Sequence, residues 1–340
     1  MDGELREFAA LEYGEFRPRL PWIGPDLQTI RNFVARPKVD LRPWGAQRLW
    51  FEAGGDRLTG LWHRTGRTDR PLIVLIHGLT GCERSSYVRM TAFHLLQRGY
   101  PVLRLNLRGA GPSLPHCKEG YHAGRSEDLG HVLSALPPSA LRDGVAVVGY
   151  SLSGNLLLKF LAEARGSAHP VRAAVSVSAP IDLGLTQRRI MEPRNRVYHA
   201  YLLNRMRKEA LLLLRDRKWR RRVLLAKSVR EIDERIVAPL YGFESADDYH
   251  ARCSAAPLLS RIETPTLLIH GLDDPWIPAE PYLAFDWRAH PHLTALLPPH
   301  GGHVGFHGQG DRTPWHDRCI ARFLDRRFSG DLRGRGLIRP

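Results

Sequence analysis

Ser151 lies in the run Val145-Ala-Val-Val-Gly-Tyr-Ser-Leu-Ser-Gly-Asn-Leu-Leu-Leu-Lys-Phe160, where an apolar, strand-like stretch breaks at small residues and then becomes helix-like. A serine at such a turn is held in a strained backbone conformation, and its neighbours must be small because larger side chains would clash. Gly149 and Ser153 flank it two residues to either side. Glycine is usual at the second flank, so Ser153 reads as a small-residue variant whose replacement by glycine should preserve activity, with Gly154 sharing the close packing. A serine hydroxyl attacks poorly at neutral pH unless a base lies within hydrogen-bond reach and a third group fixes that base's tautomer. His303, in Pro299-His300-Gly301-Gly302-His303, is the base, and Asp274 is the orienting acid, three residues after Gly271. Asp273 is the alternative acid and otherwise reads as a cap or turn residue. The attacked carbonyl oxygen becomes negative and needs N–H groups already aimed at it. His77-Gly78-Leu79-Thr80-Gly81 offers such a loop, and the Leu79 amide would join that of Leu152 as an oxyanion hole, with His77 a packing and hydrogen-bonding residue. The chemistry is nucleophilic acyl transfer.

Each of these groups follows a predicted strand. Residues 48–53 and 58–63 read as two strands joined at Gly54-Gly55-Asp56. Short apolar runs at 72–76, 102–107, 145–148 and 173–177 then alternate with helical stretches such as 87–98 and 155–164. This rhythm predicts an α/β architecture, a mostly parallel sheet with helices on both faces. It halts at Ala179-Pro180; the following block is helix-rich, basic and leucine-rich, and it resumes with a strand at 264–270, a helix at 280–289, a strand at 293–297 and a helix at 315–327. Functional groups of an open parallel sheet gather past the carboxyl ends of its strands, where Ser151, Asp274 and His303 all fall. The expected division is an N-terminal extension packing on the core (1–45), a first core part (46–182), a basic helical cap insertion (183–256), a second core part (257–328) and a loose tail (329–340).

With 340 residues, 43% of them hydrophobic, the chain can bury a substantial core. Neither a leader nor a membrane span is read, and Cys82, Cys117, Cys253 and Cys319 show no paired metal spacing, so reduced thiols and a cytoplasmic setting are expected. The net charge of +15 is concentrated in the helical block, densest at Arg215-Asp216-Arg217-Lys218-Trp219-Arg220-Arg221-Arg222. A solvated helix surface is the plain reading of that run, ahead of anionic-membrane contact, and nucleic acid is not favoured. His300, His303, His307 and Asp311 would make a poor metal site, because the intervening glycines prevent a shared helical face; His300 and His307 read as loop or surface residues. No metal or cofactor is expected.

The chain resembles the YheT-like branch of the α/β-hydrolase superfamily, related to the animal alpha/beta-hydrolase domain proteins one and three. The resemblance rests on Pro21-Trp22-Ile23-Gly24-Pro25-Asp26-Leu27-Gln28-Thr29, the loop at 77–81, Leu105-Asn106-Leu107-Arg108-Gly109 and Ala238-Pro239-Leu240-Tyr241-Gly242-Phe243. Cys253-Ser254-Ala255, Asp273-Asp274-Pro275 and Gly301-Gly302-His303-Val304-Gly305-Phe306 complete it. The order Ser, Asp, His along the chain is that of this superfamily. The resemblance implies an eight-stranded hydrolase core, hydrolysis of a small-molecule carboxylic ester without cofactor, and a triad of Ser151, Asp274 and His303. Thioesterase or acyltransferase chemistry on the same triad, and lipid or nucleic-acid binding through the basic cap, are the alternatives.

Overall fold

The computed structural model describes residues 12–35, 38–67, 69–166 and 169–334, with side chains as far as 328. β1 (Gln47–Ala53) and β2 (Asp56–His63) pair as a hairpin whose turn, Gly54 and Gly55, has positive φ at both positions, the geometry that matches strand twist. β3 (Leu72–Ile76), β4 (Val102–Leu105), β5 (Val145–Tyr150), β6 (Val171–Val177), β7 (Thr266–Ile269) and β8 (Leu293–Leu296) follow. Among the described residues these eight strands form one sheet in the order β1-β2-β4-β3-β5-β6-β7-β8, parallel from β4 to β8.

The strands read as unbroken apolar runs because both faces are covered. Val74, Ile76, Val145 and Val147 point into one cluster, and Ile73, Leu75, Ala146 and Val148 into another. Among the described residues, nine helices of eight or more residues serve these layers or the insertion: α1 (Pro25–Val34), α2 (Ser86–Gln97), α3 (Glu127–Ser134), α4 (Leu152–Glu163), α5 (Leu183–Met191), α6 (Arg196–Leu213), α7 (Arg217–Leu225), α8 (Ala246–Cys253) and α9 (Trp315–Gly334). α3 and α4 lie on the first face, α2 and α9 on the second.

Between β6 and β7 the described chain is helical, α5 to α8 with a π-helical turn at Asp233–Val237, and it has a small core of its own around Leu203, Val223, Ala226, Ile232 and Ile236. The basic run is partly structural. Asp216 caps α7 by accepting from the amides of Lys218 and Trp219, while Arg220 donates to the carbonyls of Leu211 and Leu214 at the end of α6.

Two expectations change. The helix expected over 280–289 is a short helix, Glu280–Ala284, and a separate turn, Trp287–Ala289, because Phe285 is extended and Asp286 caps the second piece through the Arg288 amide. The tail expected to be loose from residue 329 continues α9 to Gly334, and 335–340 lie outside the described residues, as do 1–11 of the N-terminal extension.

Candidate active site

Ser151 follows β5 at φ 52 and ψ −123, a left-handed conformation for an L-residue. The turn is closed by the Ser151 amide donating to Val177 O at 2.8 Å and its carbonyl accepting from Gly154 N, also at 2.8 Å. Glycine at 149 is required by close approach: a Cβ there would lie 2.3 Å from Ser153 O. At Gly154 it would lie 2.7 Å from Ser176 Oγ, so that position does carry part of the packing.

His303 Nε2 lies 3.0 Å from Ser151 Oγ, and its Nδ1 lies 2.8 Å from Asp274 Oδ2. Asp274 is oriented by its other oxygen, which accepts from the amides of Trp276 and Ile277. The Trp276 ring stacks on the imidazole at 4.4 Å. Asp273 points elsewhere: Oδ1 accepts from Gly302 N at 2.9 Å and Oδ2 is 3.4 Å from His300 Nδ1, so it ties down the loop that carries the histidine.

That loop is held by the N-terminal segment. Thr29 Oγ1 accepts from His303 N, Asn32 donates to Val304 O, and Gln28 bonds both the amide and the carbonyl of His307. Gly302, at φ 57, has no room for a Cβ, which would lie 2.6 Å from Pro25 O. The segment with Gln28 and Thr29 and the segment from Gly301 to Phe306 are therefore two halves of one contact. His307, expected on the surface, is 1% exposed; burial and then Arg31 push its imidazole down to about 2, so it remains neutral.

On the other side of Ser151, the loop at 77–81 is restrained peptide by peptide. Ser153 Oγ donates to His77 O at 2.5 Å, Gly78 N donates to Tyr87 OH at 2.9 Å, and Thr80 N donates to Tyr121 OH at 2.7 Å. Gly78 O accepts from Gly81 N and faces His77 Nδ1, whose ring accepts at Nε2 from Leu107 N. Buried and thus bonded, His77 is pushed down to about 4, which suits a neutral structural imidazole. Among the described residues, the amides of Leu79 and Leu152 find no acceptor. Ser153, read from sequence as a passive small residue, has a hydrogen-bonding function that spacing alone did not show.

Leu79, Leu152 and Ser151 line one cavity with Leu183, Ile190, Leu202, Met206, Val237, Trp276 and Ile277. Much of this apolar wall comes from the insertion. Tyr121, Trp276 and the contacts of α1 were not found by sequence reasoning; only the Asp-Pro-Trp run and the Gln-Thr pair carried any signal.

A serine–histidine–carboxylate hydrogen-bond chain thus lies past the strand ends, beside the helical insertion. The alpha/beta hydrolase fold family matches residues 71–308, and the chain belongs to that family. It is a carboxylic ester hydrolase of esterase or lipase type. YheT of Escherichia coli (strain K12) is 34% identical over 86% of this chain and 87% of its own length. Phospholipase ABHD3 of Homo sapiens is 27% identical over 84% of this chain and 71% of its own. Among solved structures, an esterase of Pyrococcus furiosus, Pf2001, aligns with a TM-score of 0.56 and 19% identity over 85% of this chain and 96% of that one, a likeness of fold. No helix of the described residues is long and apolar enough to cross a membrane.

Proposed function

We propose that the protein is a serine esterase acting through an acyl-enzyme. The Ser151–His303–Asp274 hydrogen-bond chain carries this reading. Ser151 Oγ attacks the ester carbonyl carbon as His303 Nε2 takes the hydroxyl proton, and Asp274 steadies the resulting imidazolium. The oxyanion settles between the amides of Leu79 and Leu152. Collapse breaks the bond to the alcohol, which leaves with the proton from His303. Water, deprotonated by the same nitrogen, then attacks the acyl carbonyl; the second collapse frees the acid and returns the proton to Ser151. Four free cysteines support a reducing, cytoplasmic setting.

Ser151→Ala should lower turnover of a chromogenic acyl ester by roughly four to six orders of magnitude. A fluorophosphonate should label Ser151 and leave the variant unlabelled. Turnover by the variant equal to wild type overturns the assignment.

A second reading, contact with an anionic lipid surface, is favoured by α7, which exposes Leu224 and Leu225 beside Arg217, Lys218 and Arg221. It requires salt-sensitive sedimentation with anionic vesicles.

A further inference from the structure

The loop at 77–81 has two kinds of anchor. Those at His77 and Gly78 belong to the sheet core: Ser153 follows β5, and Tyr87 lies on α2. Those at Thr80 reach into the insertion. Arg205, on α6, donates from Nη2 to Thr80 O at 2.6 Å. Thr80 N donates to Tyr121 OH, and that hydroxyl donates in turn to Glu209 Oε2 at 2.9 Å, one turn further along α6. Buried Thr80 is thus held at its carbonyl by α6 directly and at its amide by Tyr121, which is itself bonded to α6, directly next to the Leu79 amide. Thr80 has φ 56, a conformation that a β-branched residue adopts only under external restraint.

The chemistry of the grip is specific. A tyrosine hydroxyl can accept from Thr80 N while donating its own O–H, and the Glu209 carboxyl oxygen accepts that hydrogen bond. Glu209 lies in a desolvated setting, where burial raises it to about 7. Arg205 is otherwise exposed, so its guanidinium reaches inward from the surface to one carbonyl.

We propose that Arg205, Glu209 and Tyr121 are positioning residues that fix the Leu79 amide, so that the oxyanion hole is complete only when α6 of the insertion is seated. The proposal rests on the serine-esterase reading above. It predicts that weakening the grip lowers stabilisation of the tetrahedral species and leaves ground-state binding in place.

The test uses the full chain and a soluble chromogenic acyl ester. Arg205→Ala, a change at an exposed side chain, should lower kcat roughly 10- to 100-fold, a fraction of the effect of deleting an oxyanion donor outright, with KM within twofold. Affinity for an alkyl boronic acid, which forms a tetrahedral adduct on the serine, should fall in parallel. Arg205→Lys should restore most of both, since an ammonium can still donate to Thr80 O. Tyr121→Phe and Glu209→Ala should show the same split, and Glu209→Gln, which keeps an acceptor, a smaller one. Wild-type kcat and boronate affinity in Arg205→Ala and Glu209→Ala overturn the proposal, as does a rise in KM at constant kcat. Failure of the underlying reading is separate: fluorophosphonate would then not label Ser151 in the wild-type chain.

Discussion

The two sides of Ser151 are held by different parts of the chain. On the base side, the His303 loop is held by α1, a segment more than 270 residues away in sequence, through Thr29, Asn32 and Gln28. On the other side, proposed above to bind the oxyanion, the loop at 77–81 is held partly by the core and partly by α6. The base side is closed by buried contacts to backbone and glycines without room for a Cβ. The other side is anchored at His77 and Gly78 by the core and, at Thr80, by one surface arginine and a tyrosine-glutamate relay. The base side is therefore built for permanence, and the oxyanion side can respond to the insertion.

Substitutions can test that contrast. The largest effect should come from Gly302→Ala, which places a methyl 2.6 Å from Pro25 O at φ 57. A loss of roughly 3 kcal/mol in stability is expected, with turnover reduced by about three orders of magnitude as His303 leaves its place; urea unfolding and ester turnover read the two. Thr29→Val should follow. It leaves the His303 N–H buried without its acceptor at a cost of about 1–3 kcal/mol, and it should shift the pH profile of kcat/KM because the base itself is displaced. Arg205→Ala should leave that profile in place, and a matching shift there would erase the contrast.

Glu209 supplies a pH test of the oxyanion side. Its folded value, about 7, lies above the ordinary glutamate value of about 4.5. The folded state therefore holds this proton more tightly, and the contribution to stability is full below the lower value and lost as pH rises through the higher one. Relative to Glu209→Gln, the wild type should lose on the order of 2 kcal/mol between pH 5 and pH 8, measured by denaturant unfolding at each pH. Ser153→Gly should be the mildest change. It removes the donor to His77 O and adds backbone freedom at the start of α4, about 1 kcal/mol and a few-fold in kcat.

Much of the architecture was legible because it is local. β3 and β5 are short apolar runs that end in glycine-bearing turns, and their sequence order gives Ser151, Asp274 and His303 as loop residues past strand ends. Asp274 was separable from Asp273 by its distance from Gly271, and the geometry keeps the two apart: one faces His303, the other Gly302. The grip on Thr80 was not legible. Tyr121, Arg205 and Glu209 come from separate stretches, and each alone looks like an ordinary surface or packing residue; only the approach of α6 to the β3 loop gives them a shared task. His307 misled for the opposite reason, since a glycine-rich stretch reads as exposed loop even where Gln28 and Arg31 cover it. The helix expected over 280–289 was lost to the extended backbone at Phe285, a break that periodicity does not register.

The contact between Thr29 and His303 spans 274 positions. Closing so long a loop costs conformational entropy before the contact returns any stabilisation. On the ribosome, α1 emerges early and meets α2 first, where Ser86 Oγ donates to Asn32 O, but its contacts to the histidine loop wait for the last strand and the loop that follows. A chain ended before residue 303 would carry the Ser151 turn without the histidine proposed to activate it. On the proposed mechanism, activity therefore requires a chain made at least as far as the His303 loop.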